Sequence, residues 1–233
     1  MIELWHLKNI DWLAELPEDV CETLRLASDV RQFGVGDIIF EPEPHPEYVY
    51  ILESGLVRIF RRSPDGEQVT FGYIRPGEVF GELAAFSDRS RGSYAAAVEP
   101  AVVLRVNRQL FARAIKSRAS IVFSVAKQIE GRFNEIETRV EDLVFKSVRS
   151  RLAHIILQLA DQFSRPSGEE VVLDIRLTHA ELANLIGASR PTVSLAVKEF
   201  EDAGLIGRRD GHIALLDRRR LEEIAGDDTD GMQ

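Results

Sequence analysis

The sequence predicts an α+β chain: a small antiparallel β-barrel, then one long helix, then a pair of short helices followed by a β-hairpin. Three observations predict it. Between about Gly34 and Val106, short apolar segments alternate with turn signals every several residues. From Ile115 to Phe145, apolar residues recur at steps of three and four with no proline among them. From Thr178 to Leu216, capping residues, a glycine stop and an Asp-Gly pair delimit two helices and a hairpin.

Taken in order, the chain opens with a helical lead from Trp12 to Ala27, broken by Pro17. Val49, Ile51 and Leu56 to Phe60 then read as strands, and Tyr94 to Val106 supplies more. Turns are expected at Gly34, Gly36-Asp37, Glu53-Ser54-Gly55, Pro64-Asp65-Gly66 and Pro76-Gly77. Strands so closely spaced suggest a double-stranded β-helix, or jelly roll. A barrel of that size can enclose one ligand.

Many jelly rolls are metal enzymes, which need several histidines converging on one ion. The histidines are His6, His45, His154, His179 and His212, and of these only His45 falls in the barrel segment. His45-Pro46-Glu47 reads as a surface turn. No nucleophile elbow, phosphate loop or paired-cysteine motif is present, so the chain reads as a non-enzyme without a metal. The single cysteine, Cys21, excludes an internal disulfide, a cysteine-ligated iron–sulfur cluster within the chain and a thiolate zinc site.

With 233 residues, 45% of them hydrophobic, the chain has ample core for two domains. Its net charge of −9 argues against a general nucleic-acid coat but permits a local basic reading surface. No apolar run approaches membrane-spanning length and the N-terminus lacks a secretion pattern, which predicts a cytoplasmic protein with no membrane partner.

The long helix carries Val122, Val125, Ile129, Phe133, Ile136, Val140 and Leu143 between polar flanks. So narrow a seam suits a helix paired with its own copy, or one packed on its own barrel, or both along different stretches. A self-pair would form a homodimer and place two copies of the C-terminal part about one two-fold axis.

In the C-terminal part, Thr178 and Glu181 form a capping box, and Leu182, Leu185 and Ile186 give the first helix an apolar stripe. Gly187 turns the chain out, Ser189 caps the second helix through the Thr192 amide, and Pro191 fits the first turn. Val193, Ala196, Val197 and Phe200 make a buried stripe, opposite Arg190, Ser194 and Lys198 with Leu195 alongside. That polar side suits the major groove: arginine grips guanine, serine bonds base edges, leucine touches a thymine methyl. A hairpin follows, from Leu205-Ile206 through Asp210-Gly211 to Ile213 to Leu216, with Arg208, Arg209 and His212 at its tip to reach phosphates. The combination is a winged helix-turn-helix, read as binding double-stranded DNA.

The barrel also contains Gly77-Glu78-Val79-Phe80-Gly81-Glu82-Leu83-Ala84, followed by Arg91 and a strand ending Val103-Leu104. With the long helix and the winged helix-turn-helix, this resembles the cAMP receptor protein/fumarate-nitrate reductase regulator (CRP/FNR) family of bacterial transcription factors. The resemblance runs from about Leu13 to Ala225. It implies a cyclic-nucleotide-binding-like domain over residues 1–114, a dimerisation helix and hinge over 115–147, and a winged helix over 148–226, with an acidic tail at 227–233. It further implies a homodimer on a near-palindromic operator, contact with RNA polymerase, and a small effector such as cAMP or cGMP.

By the same resemblance Gly81 and Glu82 hold the ribose and Arg91 pairs with the cyclic phosphate. Leu83, Gly92 and Ser93 lie beside them, while Arg132, Ile136 and Glu137 come from the long helix. Gly92 stands where cAMP binders carry serine or threonine, and Ile136 and Glu137 replace the pair that contacts adenine. Glu137 offers a carboxylate to guanine, which would favour cGMP. The plainer alternative is an internal Glu82–Arg91 ion pair bracing an empty pocket in a ligand-independent regulator. A metal or small-molecule enzyme on a jelly-roll scaffold is the rival of another class.

In the reading helix Ser189-Arg190 and Thr192-Val193 match the family, while Pro191 and Leu195 replace a glutamate and a second arginine. Arg190 is therefore the expected guanine reader. Thr178, His179, Ser189, Thr192 and Lys198 are expected on phosphates or flanking positions.

Overall fold

The structure, a computed structural model, describes residues 28–86, 90–116, 119–167 and 170–226. The expected lead helix, with His6 and Cys21, and the acidic tail lie outside the described residues. Packing divides the chain into two compact units, Met1–Asn134 and Glu135–Gln233.

The first unit holds two antiparallel sheets. Strands β1 (Ser28–Phe33), β8 (Ala101–Asn107), β3 (Tyr48–Ser54) and β6 (Val79–Phe80) form one, in that spatial order. Strands β2 (Ile38–Phe40), β7 (Tyr94–Ala97), β4 (Val57–Arg62) and β5 (Gln68–Ile74) form the other. The stretch from Tyr94 to Val106 is thus two strands in different sheets, broken at Val98-Glu99-Pro100. Pro100 has no amide hydrogen to continue a ladder.

Strand β3 shows why its sequence lacks a polar alternate. Tyr50 and Leu52 pack with Phe40, Val57, Ile74, Phe80 and Val103 in a core shared by both sheets. Val49 and Ile51 point the other way, onto α2 (Arg108–Lys116) and α3 (Ala119–Phe145) through Phe111, Ile115, Ile121 and Val125. The sheet is covered on both faces, so both sets of side chains are apolar.

The long helix begins at Ala119, not Ile115, which belongs to α2 and is buried in the barrel-side core. Its seam also divides. Ile121 and Val125 are buried against the sheet, whereas Val122, Phe133, Val140 and Leu143 are exposed and Ile129 and Ile136 half-buried. With Ala126 they form a line of apolar residues at steps of four and three, the spacing of a two-helix seam.

The second unit continues with α4 (Val148–Phe163), β9 (Ser164–Ser167), β10 (Glu170–Leu173), α5 (His179–Ile186), α6 (Arg190–Asp202), β11 (Ile206–Arg209), β12 (His212–Leu215) and α7 (Arg218–Ala225). The four strands form one antiparallel sheet in the order β11-β12-β10-β9. Asp210 and Gly211 take φ of 51° and 85°, the two-residue hairpin turn that their identities predict. Among the described residues no helix is long and apolar enough to cross a membrane.

Candidate functional site

In the first unit, the cassette residues gather around one guanidinium. Arg91 is buried, and its Nη1 donates to Glu43 Oε1 at 2.6 Å. Its Nη2 donates to the carbonyls of Tyr48 (2.8 Å) and Gly81 (3.2 Å), while the group stacks 4.1 Å from the Phe40 ring centroid. Buried charge is tolerated when paired and hydrogen-bonded in this way. Burial pushes the Tyr50 phenol up from its ordinary value, although the Arg91 charge beside it pulls down.

The Glu82–Arg91 ion pair of the alternative reading does not form; two others stand in its place. Glu43 and Arg91 are directly bridged through their backbones, with N···O distances of 3.0 and 2.8 Å, so their side chains emerge on one face. Glu82, also buried, faces Arg132 of α3 instead, at 3.4 Å. Nothing in the spacing from Glu43 to Arg91 announces this pair, because the isolated bridge joins segments 48 positions apart.

Gly81 explains its own identity. Its φ is +68°, and a Cβ built on it would meet Arg91 Nη2 at 2.7 Å and Tyr50 Cδ2 at 3.3 Å. Leu83 begins the short helix α1 (Leu83–Phe86) and is largely exposed, as is Gly92, while Ser93 is half-buried. Ile136 is half-buried and Glu137 exposed; both belong to the second unit.

In the second unit, α5 and α6 take the capped form that the sequence prescribes. The Thr178 hydroxyl accepts from the Glu181 amide, and the Glu181 carboxylate accepts from the Thr178 amide at 2.7 Å. Gly187 turns out in the left-handed region (φ 62°), and Ser189 accepts from the Thr192 amide at 3.3 Å. Val193, Ala196, Val197 and Phe200 are buried, leaving Arg190, Thr192, Leu195 and Lys198 exposed.

Four of the predicted DNA-facing residues are tied in a chain. Arg208 Nη2 donates to His179 Nε2 at 3.2 Å. A guanidinium can only donate, so the ring hydrogen lies on Nδ1, which donates to Ser194 Oγ at 2.8 Å. Ser194 Oγ in turn donates to the Arg190 carbonyl at 2.9 Å. The hydroxyl hydrogen is thereby spent, and Ser194 can meet a base edge only as an acceptor. Arg208 Nε also reaches Glu201, at 3.2 Å.

His212 turns inward: its Nδ1 bonds the Leu173 carbonyl at 2.9 Å and its Nε2 accepts from Arg176 at 3.5 Å. Arg209, exposed at the end of β11, donates to the Arg208 carbonyl through Nη1. Sequence reasoning missed Arg176, whose position just before Thr178 was a usable signal.

At the end of α3, Asp142 is buried between Lys146 Nζ (2.9 Å) and His154 Nδ1. Burial opposes its charge, but the hydrogen bonds from His154 and Lys146 prevail and hold its carboxyl below the ordinary value. Ser147 caps α4 by accepting from the Ser150 amide at 3.1 Å, so the two helices break at Lys146-Ser147.

The profile of the cyclic nucleotide-binding domain matches residues 30–118, and that of the Crp-like helix-turn-helix domain matches residues 150–224. A CRP-like cAMP-activated global transcriptional regulator of Mycobacterium tuberculosis is 31% identical over 193 residues, covering 83% of this chain and 86% of the relative. The cyclic AMP receptor protein of Thermus thermophilus is 29% identical over 195 residues, 84% of this chain and 87% of the relative. The crystal structure of a CRP/FNR-family transcriptional regulator from Thermus thermophilus superposes with a TM-score of 0.71 at 27% identity, covering 86% of this chain and all (100%) of that one. A sensor barrel, a long helix and a winged helix-turn-helix in this order, with relatives at this identity and coverage, place the chain in the CRP/FNR family of bacterial transcription regulators.

Proposed function

We propose that this regulator works as a cytoplasmic homodimer whose α3 seams pair, presenting two α6 helices to a near-palindromic operator. The observation that carries the reading is the sorting of α6: Val193, Ala196, Val197 and Phe200 are buried while Arg190, Leu195 and Lys198 stand exposed on the other side. Arg190 reads guanine as a fork, Leu195 meets a thymine methyl, and Ser194 accepts from a base amino group. Thr178, Ser189, Thr192, Lys198 and Arg209 hold phosphates, and His179 and Arg208 brace the helix against the wing. His212 supports the hairpin from inside. On DNA the dimer contacts RNA polymerase.

Effector control falls to the cassette. Gly81, Glu82 and Arg91, with Leu83, Gly92 and Ser93, receive a cyclic nucleotide, cAMP or cGMP, while Arg132, Ile136 and Glu137 respond from α3. The domains divide at 1–114, 115–147 and 148–226, and the break at Lys146-Ser147 lets the reading helices re-aim. An effector shifts the balance only by preferring the DNA-competent arrangement.

Selection of bound duplexes from random DNA tests this, run with cAMP, with cGMP and with neither, alongside sedimentation of the protein. The expected result is an enriched inverted repeat with guanine in each half-site, bound by a dimer and strengthened by one nucleotide. A monomer that enriches no sequence in any arm would overturn the proposal.

A further inference from the structure

The space beside Gly92 is already taken. A Cβ built on Gly92 would meet Arg61 Nη2 at 3.1 Å, Cζ at 3.5 Å and Nε at 3.6 Å, so the whole Arg61 guanidinium lies along this residue. Arg61 comes from β4, which pairs with β7 through Phe60 and Tyr94, and this register carries its side chain to the Arg91-Gly92 segment. It is exposed, and its guanidinium rests 5.7 Å from the Phe71 ring centroid. Among the described residues it has no ion pair and no hydrogen bond.

Arg91, one residue from Gly92, is in the opposite condition. Buried, it is engaged by Glu43 and the carbonyls of Tyr48 and Gly81. An anion arriving at this segment finds one guanidinium already satisfied and another whose donors are open among the described residues. Guanidinium and phosphate match as planar fork and oxyanion pair, and Arg61 needs to break no bond to any described residue to make that match.

We infer that Arg61 is the anion-capturing residue of the effector site, supplying a phosphodiester ligand with the donors that the side-chain-free Gly92 cannot offer. The inference rests on the effector reading above and deepens it. Capture by Arg61 comes first; Arg91 engages only as it releases Glu43. Such a site discriminates by charge, favouring cyclic phosphodiesters over uncharged nucleosides.

Calorimetric titration of the full-length protein with cAMP and with cGMP tests it, using wild type, Arg61→Ala and Arg61→Lys, each first checked by thermal melting. Because Arg61 is exposed and has no polar partner among the described residues, the variants are expected to melt with the wild type. Loss of a charge-assisted fork should weaken the better nucleotide by about tenfold or more in Arg61→Ala. Arg61→Lys should fall between, since an ammonium brings charge without the fork. If wild type binds and Arg61→Ala binds less than about tenfold more weakly, the Arg61 assignment falls and the effector reading stands. If wild type binds neither nucleotide, the effector reading falls and takes the Arg61 assignment with it.

Discussion

Replacing Gly81 by alanine isolates the contact on which the cassette geometry depends. Gly66 supplies the control, because it has φ +89° and nothing within 4 Å of a built Cβ, so Gly66→Ala adds backbone strain alone. That strain amounts to about 1 kcal/mol for an L-residue in the left-handed region. Gly81→Ala carries the same strain and also drives its Cβ to within 2.7 Å of Arg91 Nη2 and 3.2 Å of Cζ. Arg91 cannot swing away cheaply, being held by Glu43, by the Tyr48 and Gly81 carbonyls and by the Phe40 ring. Weakening the Nη2 hydrogen bonds of this buried charge should add roughly 2 kcal/mol, since bonds to charged groups contribute about 1.5–3 kcal/mol each. Calorimetric scans of the ligand-free full-length variants would then place Gly81→Ala several degrees, roughly 5–10 °C, below Gly66→Ala. Equal destabilisation of the two, to within about 0.5 kcal/mol, would mean that Arg91 does not lie against Gly81, and the reasoning about this pocket would fail.

Two further outcomes follow from the second unit. Arg190→Ala should weaken operator binding by about 1–3 kcal/mol and relax the preference at a single base pair per half-site, read by anisotropy on single-substituted duplexes. Unchanged affinity and preference would show that α6 presents another face. Asp142 has its folded-state pKa lowered from 3.8, so its contribution is fully present above that value and is lost as pH falls through the lower folded value. Asp142→Asn should therefore be less stable than wild type at neutral pH, with the gap closing below about pH 4 in urea unfolding; a gap independent of pH would contradict the pairing with His154 and Lys146.

Local chemistry makes the stretch from Thr178 to Leu216 legible in the sequence. The Thr178–Glu181 box, the Gly187 turn, the Ser189 cap and the Asp210-Gly211 hairpin each involve partners within a few residues, so spacing alone discloses them. The buried stripe of α6 follows likewise from helical periodicity. His212 reads from its neighbours as a tip residue, because a hydrogen bond to Leu173, 39 positions away, leaves no trace among them. The start of α3 is displaced for a related reason. Ile115 continues the apolar period and shares the core of Ile121 and Val125, but it belongs to the preceding helix, α2.

What the residues determined by themselves was the capped helix pair, its hairpin and the face that α6 buries, since capping, turn geometry and periodicity act over a few positions. What only the tertiary structure decided was which groups meet: Glu43 with Arg91, Glu82 with Arg132, Arg61 beside Gly92, and His179 between Arg208 and Ser194. Such contacts are fixed by distance in space, and strand pairing and helix packing set that distance between residues far apart in the chain.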